Sequence, residues 1–127
     1  MASADEDYVA SRTPFSDHRV LVLNEVSRWG FDRWYGRDPD LEPQDPAAWR
    51  HPVVLVRSSK AVVTVGCPNQ QVAEALFGPG GLQAVFPRLE PAGWGGRESI
   101  GGSPRGVEMD ARQLVASAEQ VAAMMSS

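Results

Sequence analysis

The sequence has 127 residues, 43% of them hydrophobic and 22% charged, which suffices for one hydrophobic core and excludes two full domains. The formal net charge of −4 excludes a protein whose whole surface attracts nucleic acid, so any phosphate contact must be local. A single cysteine and the lack of a long apolar run exclude a disulfide framework and a membrane-spanning helix, and we expect a cytoplasmic protein without membrane contact.

The first part of the chain predicts an arm followed by one domain. Residues 1–15 are polar, acidic and aperiodic, so we expect a flexible acidic arm, with a single α/β domain over residues 16–127. Ser16 or Asp17 can cap a helix that runs to about Trp29 and ends at Gly30. The β-branched run Val20-Leu21-Val22 favours a strand instead, so both structures stay open at this point.

The next stretch, Phe31–His51, predicts a long loop because it combines aromatic residues with three prolines. A short turn is expected at Pro46–Trp49. The aromatic region Trp29–Tyr35 is typical of a core or of an interface with a protein partner or a second copy of the chain. Stacking on bases is the less favoured interpretation, since neighbouring aspartates cancel the charge of the arginines there.

The second half of the chain predicts a hairpin and three helices. Val53–Arg57 and Ala61–Val65 are β-branched runs joined by a short polar turn. Pro68-Asn69 can start a helix that the glycines after Phe77 end, and a second short helix is expected over Leu82–Phe86. Asp110 can cap a last helix that runs to about Met125. The fold class is therefore α/β: a single small domain in which a short sheet is flanked by helices, with a Gly-rich rim loop.

The Gly-rich segment 91–106 is the candidate functional surface. Glycine lets backbone N–H groups converge on an anion, serine donates a hydrogen bond, and arginine pairs with phosphate through two parallel bonds. The segment contains these three residue types twice, without the spacing of a nucleotide-binding P-loop or a dinucleotide-binding turn. A tight structural turn anchored by Trp94 is the alternative, and composition alone leaves the two open.

From Val53 onward the chain resembles the DHH-associated domain, the C-terminal substrate-binding module of DHH-type phosphoesterases such as nanoRNases and RecJ-like exonucleases. The matching features are the strand ending in Arg57-Ser58, the strand Ala61–Val65, the helix with Asn69–Glu74, the glycine cluster Gly95–Ser103 and the closing helix. In that family the Arg-Ser pair and the glycine cluster face phosphates. The family's histidine in this cluster is absent here, and Arg97 is the nearest polar residue.

Two functions follow as hypotheses. The first is a binding module for a phosphate-bearing ligand, a nucleotide or a short single-stranded nucleic acid, related to a phosphoesterase but without its catalytic domain. The second, favoured by the missing histidine and the net acidity, is an interaction or assembly module that keeps the fold and lacks the ligand site. The residues predicted to bind the ligand are Arg57, Ser58, Gly95, Gly96, Arg97, Ser99, Gly101, Gly102, Ser103 and Arg105.

The sequence predicts no catalytic residue, metal site or cofactor. Asp17-His18-Arg19 superficially resembles the DHH motif but lacks the other carboxylates that a two-metal site needs. Cys67 has no general base nearby in the sequence, so a partly buried structural thiol is expected. His51 is expected to be a packed ring or a loop cap rather than a metal ligand.

Overall fold

The computed structural model describes residues 12–13, 15–26, 31–58 and 60–125. Of the predicted arm, residues 1–15, only residues 12–13 and 15 are described, and the predicted helix end at Trp29-Gly30 lies outside these ranges. The described residues form a single α/β domain with a mixed sheet and four α-helices. Within the same residues, no helix combines the length and the apolar character needed to cross a membrane.

The sheet has six described strands in the order β1-β2-β3-β4-β6-β5. Its only parallel pair within these residues is β2 and β3, in the register Val20↔Val53. The other pairs are antiparallel. The strands are β1 (Arg12–Thr13), β2 (Val20–Val26), β3 (Val53–Ser58), β4 (Val63–Gly66), β5 (Gly95–Gly96) and β6 (Ile100–Gly102).

The helices are α1 (Phe31–Tyr35), α2 (Gln70–Phe77), α3 (Leu82–Val85) and α4 (Ala111–Met124). Two 3-10 turns cover Pro46–Ala48 and Phe86–Arg88. Asn69 caps α2 through a 2.8 Å bond from the Val72 N–H to its side chain. Asp110 caps α4 in a reciprocal capping box with Gln113. These caps explain why the sequence located both helices.

Two cores cover opposite faces of β2 and β3. Alternate residues such as Val22 and Leu55 pack with α2, α3 and α4 in the main core. The residues between them, such as Leu23 and Val54, pack with Trp34 and Tyr35 in a smaller aromatic core. Successive side chains of a strand point to opposite faces, so a strand covered on both faces is apolar throughout.

Of the two alternatives for this segment, the helix from residue 16 to about Trp29 is wrong and the strand at Val20–Val22 is confirmed, because Val20–Val26 is the parallel strand β2, which is buried over Val20–Leu23. Asp17 does not cap a helix; its carboxylate binds the Arg19 side chain at 2.9 Å. The predicted loop over Phe31–His51 contains the short helix α1, which was not predicted, and the short turn predicted at Pro46–Trp49 is confirmed as the 3-10 turn at Pro46–Ala48. The hairpin, α2, α3 and α4 are confirmed within one or two residues at their ends.

Candidate functional site

The predicted ligand-binding residues divide into two groups at the two ends of β6. Ser103 follows β6 and pairs with Val63, close to the turn that joins β3 to β4. The opposite end of β6 carries the tight turn between β5 and β6, where the Arg97 N–H donates to the carbonyl of Ile100 at 2.7 Å. The first group contains Arg57, Ser58, Ser103 and Arg105, and the second Gly95, Gly96, Arg97, Ser99, Gly101 and Gly102.

In the first group, two serine hydroxyls are held in place by backbone N–H groups. Ser58 Oγ accepts from the N–H groups of Lys60 and Val62 at 3.3 and 3.4 Å. Ser103 Oγ accepts from the N–H of Val63 at 3.1 Å, and the Ser103 N–H donates to the Val63 carbonyl at 2.8 Å. A hydroxyl that accepts a bond keeps its own proton to donate, so each serine can still donate to an incoming acceptor.

Two cations lie in the same part of the backbone as these serines. Lys60 lies in the β3–β4 turn, and Arg105 lies on a loop whose ends are tied to the same turn by the Ser103–Val63 bonds and by the bond from the Met109 N–H to the Ala61 carbonyl. Both side chains are exposed and have no hydrogen-bond or ion-pair partner in the described part of the chain. We call Ser58, Lys60, Ser103 and Arg105 the turn-end cluster.

Arg57 has a different role from the one predicted. Its Nη1 donates to Asn24 Oδ1 at 3.0 Å, and its Nε donates to the Met109 carbonyl. These bonds link β3 to β2 and to the segment that leads into α4. The guanidinium of Arg57 is therefore engaged within the fold, and Lys60, which the sequence reasoning missed, is the exposed cation beside Ser58. A lone lysine in a turn carries no motif that could have revealed it.

Packing explains most of the glycines of the second group. A Cβ on Gly101 would overlap the ring of Phe86, and a Cβ on Gly96, whose φ is +153°, would overlap the backbone of Gly101. A Cβ on Gly102 would lie only 3.2 Å from the carbonyl oxygen of Val63. Only at Gly95, among these four, would a Cβ meet nothing within 4 Å. The segment is thus a tightly packed hairpin, with Trp94 buried before it as the predicted anchor.

The hairpin keeps one arginine available to a ligand. The Arg97 side chain is exposed and has no hydrogen-bond or ion-pair partner among the described residues. The Ser99 carbonyl accepts from the Cys67 N–H at 2.8 Å, which fixes the turn to the end of β4. Arg97 lies in the turn before β6, whereas Arg105 lies on the loop that follows β6.

The described residues offer no catalytic constellation. Cys67 is buried, and its burial raises the pKa of the thiol far above the usual range, so it stays protonated. His51 is buried as a packed ring, and its Nδ1 lies 3.1 Å from the His18 carbonyl, to which it donates. Within the described part of the chain, no three His, Cys, Asp or Glu side chains are placed to hold a metal ion.

The aromatic region that was expected to form a core or a partner surface is a core in its described part. Trp34 and Tyr35 are 3% and 4% exposed. Phe31 packs against both rings, with centroids 5.4 and 5.9 Å away. Trp29 lies outside the described residues. Burial leaves these two rings unable to stack on a base or to face a partner.

Comparison with known proteins adds nothing to the resemblance. No family model, curated protein or solved structure matches this chain. The likeness to the DHH-associated domain therefore stays a prediction from the motifs quoted above, and the case for a function depends on the arrangement of the residues.

Proposed function

We propose that this chain is a binding module for phosphate-bearing ligands, with short single-stranded nucleic acid as the preferred ligand and the turn-end cluster as the main contact. One observation carries the proposal: two serine hydroxyls are fixed by backbone N–H groups of the β3–β4 strands and turn, and the unpaired cations Lys60 and Arg105 lie in the same turn and on the loop tied to it. Hydroxyl donors and cations are the groups that proteins use for phosphate oxygens. The resemblance to a phosphate-binding family supports the same chemistry.

The division of labour follows from the chemistry of each side chain. The hydroxyl protons of Ser58 and Ser103 are donated to phosphate oxygens, while the Oγ atoms accept hydrogen bonds from backbone N–H groups. Arg105 pairs with a phosphate through two parallel bonds, and Lys60 adds a compact point charge. Cleavage of the ligand would require metal-binding carboxylates from another domain or protein, since this site supplies binding groups alone.

The position of Arg97 favours an oligonucleotide over a mononucleotide. Arg97 and the turn-end cluster lie at opposite ends of β6. A ligand that extends from the turn-end cluster along β6 can therefore bring a further phosphate to Arg97. Edge strand β5 lies beside that path, and its Gly95 and Gly96 are exposed. A short oligonucleotide should thus bind more tightly than a mononucleotide.

The test is fluorescence anisotropy with a labelled single-stranded uridine hexanucleotide and with uridine monophosphate as a competitor. Three cations that neutralise phosphates predict a slope of log K against log salt of about −2 for a single strand. Lys60→Ala and Arg105→Ala should each weaken hexanucleotide binding by about 1.5–3 kcal/mol, the worth of a charge-assisted hydrogen bond. Arg105→Lys should restore part of the loss, because it keeps the charge without the planar fork.

Two controls separate the site from general electrostatics. Arg88→Ala removes an exposed arginine from the 3-10 turn at Phe86–Arg88 and should leave affinity nearly unchanged. Arg97→Ala should weaken the hexanucleotide and leave monophosphate competition unchanged. The proposal fails if wild-type protein shows no salt-dependent binding, or if Arg105→Ala and Arg88→Ala weaken binding equally. Unchanged melting temperatures would confirm that the variants remain folded.

A second candidate function, a protein-interaction module, has one observation in its favour. Val62 and Val107 are 45% and 37% exposed, and both belong to the segments that flank the turn-end cluster. Exposed apolar side chains among polar ones are common at protein interfaces. Light scattering of the wild type and of the double variant Val62→Ser, Val107→Ser tests this: a wild-type oligomer that the double variant disperses would favour this function over ligand binding.

A further inference from the structure

A cavity lies at the end of the sheet opposite to the turn-end cluster. The parallel register Val20↔Val53 brings the residues before β2 and before β3 to one edge, and the Val53 N–H donates to the Arg19 carbonyl at 3.3 Å. The 3-10 turn at Pro46–Ala48 and helix α2 close the sides. The cavity measures about 280 Å³, near the small end of ligand pockets. Strand β3, about 17 Å long, separates it from the turn-end cluster.

The lining combines basic and apolar side chains. Arg19, Arg50 and His18 supply the polar part, and no carboxylate belongs to the lining. Trp49, Pro52 and Leu76 are among the apolar residues. An anion with an apolar body matches this combination, because its charged group can contact the basic side chains and its apolar part the apolar side chains.

The two arginines differ in how they are engaged. The Asp17 carboxylate accepts hydrogen bonds from Nε and Nη2 of Arg19 at 3.1 and 2.9 Å. These bonds hold the Arg19 guanidinium in place and offset its charge. The backbone N–H of Arg50 donates to the Gly36 carbonyl at 2.9 Å, so the base of this residue is fixed. Its exposed guanidinium has neither a hydrogen-bond nor an ion-pair partner in the described ranges. Arg50 therefore provides the uncompensated charge of the cavity.

Trp49 forms a preorganised wall. Its Nε1 donates to the Pro43 carbonyl at 2.9 Å, the Arg37 guanidinium carbon lies 5.5 Å from its ring centroid, and the Tyr35 ring meets it edge-on at 6.0 Å. Asn69, the cap of α2, donates to the same Pro43 carbonyl at 2.7 Å. Contacts on several sides hold the ring in one orientation, so a ligand need not pay to order it.

We propose that this cavity binds a small organic carboxylate. Arg50 pairs with the carboxylate, and the apolar part of the ligand lies against Trp49, Pro52 and Leu76. A volume of about 280 Å³ corresponds to roughly nine waters at about 30 Å³ each, which suits a ligand of about ten non-hydrogen atoms such as benzoate. This site shares no residue with the turn-end cluster and stands whether or not that cluster binds nucleic acid.

The test is isothermal titration calorimetry with benzoate, compared with acetate and with inorganic phosphate. Benzoate should bind more tightly than either, because acetate has almost no apolar body and phosphate has none. Arg50→Ala should weaken benzoate binding by about 10- to 100-fold, the loss of one charge-assisted contact. Arg50→Lys should recover part of the affinity.

A second variant tests the cavity by shape rather than charge. Ala75 is exposed on α2 and lines the cavity, so Ala75→Phe should fill it and abolish benzoate binding while the protein stays folded. Ala123→Phe, at an exposed position of α4, is the matched control and should bind as the wild type does. The double variant Lys60→Ala, Arg105→Ala should also leave benzoate affinity unchanged. The proposal is overturned if benzoate shows no saturable binding or if phosphate binds as tightly as benzoate. It is also overturned if benzoate binding survives both Arg50→Ala and Ala75→Phe.

Discussion

Replacing Gly101 by alanine tests whether packing fixes the β5–β6 hairpin. The new Cβ would overlap the ring of Phe86, which is buried in the main core, and the carbonyl oxygen of Gly95 on the paired strand. Neither neighbour can move without disturbing the core or the pairing, and overpacking of this kind costs about 1–3 kcal/mol. At about 2.1 cal/mol/K of unfolding entropy per residue, 127 residues lose roughly 4 °C per kcal/mol, so the melting temperature should fall by about 4–12 °C.

The matched control is Gly95→Ala on the neighbouring strand, where a Cβ meets nothing within 4 Å. Its stability should stay within about 0.5 kcal/mol of the wild type, as for most surface substitutions. Gly102→Ala should fall between the two, since its Cβ would lie 3.2 Å from the Val63 carbonyl oxygen. Thermal unfolding followed by circular dichroism measures all three variants. Equal melting temperatures for Gly101→Ala and Gly95→Ala would refute the packing of the hairpin against Phe86.

Three further predictions concern single side chains. The Cys67 thiol should resist Ellman's reagent until the protein unfolds, because burial raises its pKa, and Cys67→Ala should leave ligand affinity intact. Asp110→Ala should cost about 1 kcal/mol in chemical unfolding by removing the cap of α4. The hydrogen bond from the Arg19 side chain lowers the pKa of Asp17 below its ordinary value of 3.8. The ionised carboxylate therefore stabilises the fold above pH 3.8, and this stabilisation is lost as the pH falls through the lower pKa of the folded state. Asp17→Asn should therefore destabilise by less than about 1 kcal/mol at pH 7, and melting curves at pH 7 and at lower pH should show this effect shrinking as the pH falls.

Local signals predicted the elements that local chemistry determines. Asn69 and Asp110 are cap residues followed by helical patterns, and both helices begin where these caps indicate. The sequence left the run Val20–Val22 open between helix and strand because a parallel strand buried on both faces shows no alternation of apolar and polar residues. An apolar run beside a good cap residue is then compatible with a helix as well. The neighbouring strand β3, and not the sequence of β2 itself, decides between them.

The candidate sites depended on pairings that no local pattern records. Ser103 meets the β3–β4 turn because β6 is antiparallel to β4, which the glycines of the segment do not reveal. Arg57 was predicted to bind the ligand because it belongs to the Arg-Ser pair of the resemblance, yet its guanidinium donates to Asn24 and to the Met109 carbonyl within the fold. Arg19 and Arg50 come to one cavity only because β2 and β3 are parallel. Residue type predicted the chemistry of the protein, whereas the sheet topology determined which of these residues can act together.

The distribution of charge gives the two proposed sites different selectivity. The loop beside the cavity lined by Arg50 carries four exposed acidic residues between positions 38 and 45, whereas Asp17 is half-buried and paired with Arg19. Within a Debye length of about 8 Å at physiological salt, these charges repel a ligand with several negative charges more strongly than a monoanion. On the segment tied to the β3–β4 turn, the carboxylate of Asp110 is engaged as the cap of α4. The net charge of −4 is therefore compatible with both proposals, because the lining of the cavity and the turn-end cluster each contain cations of their own.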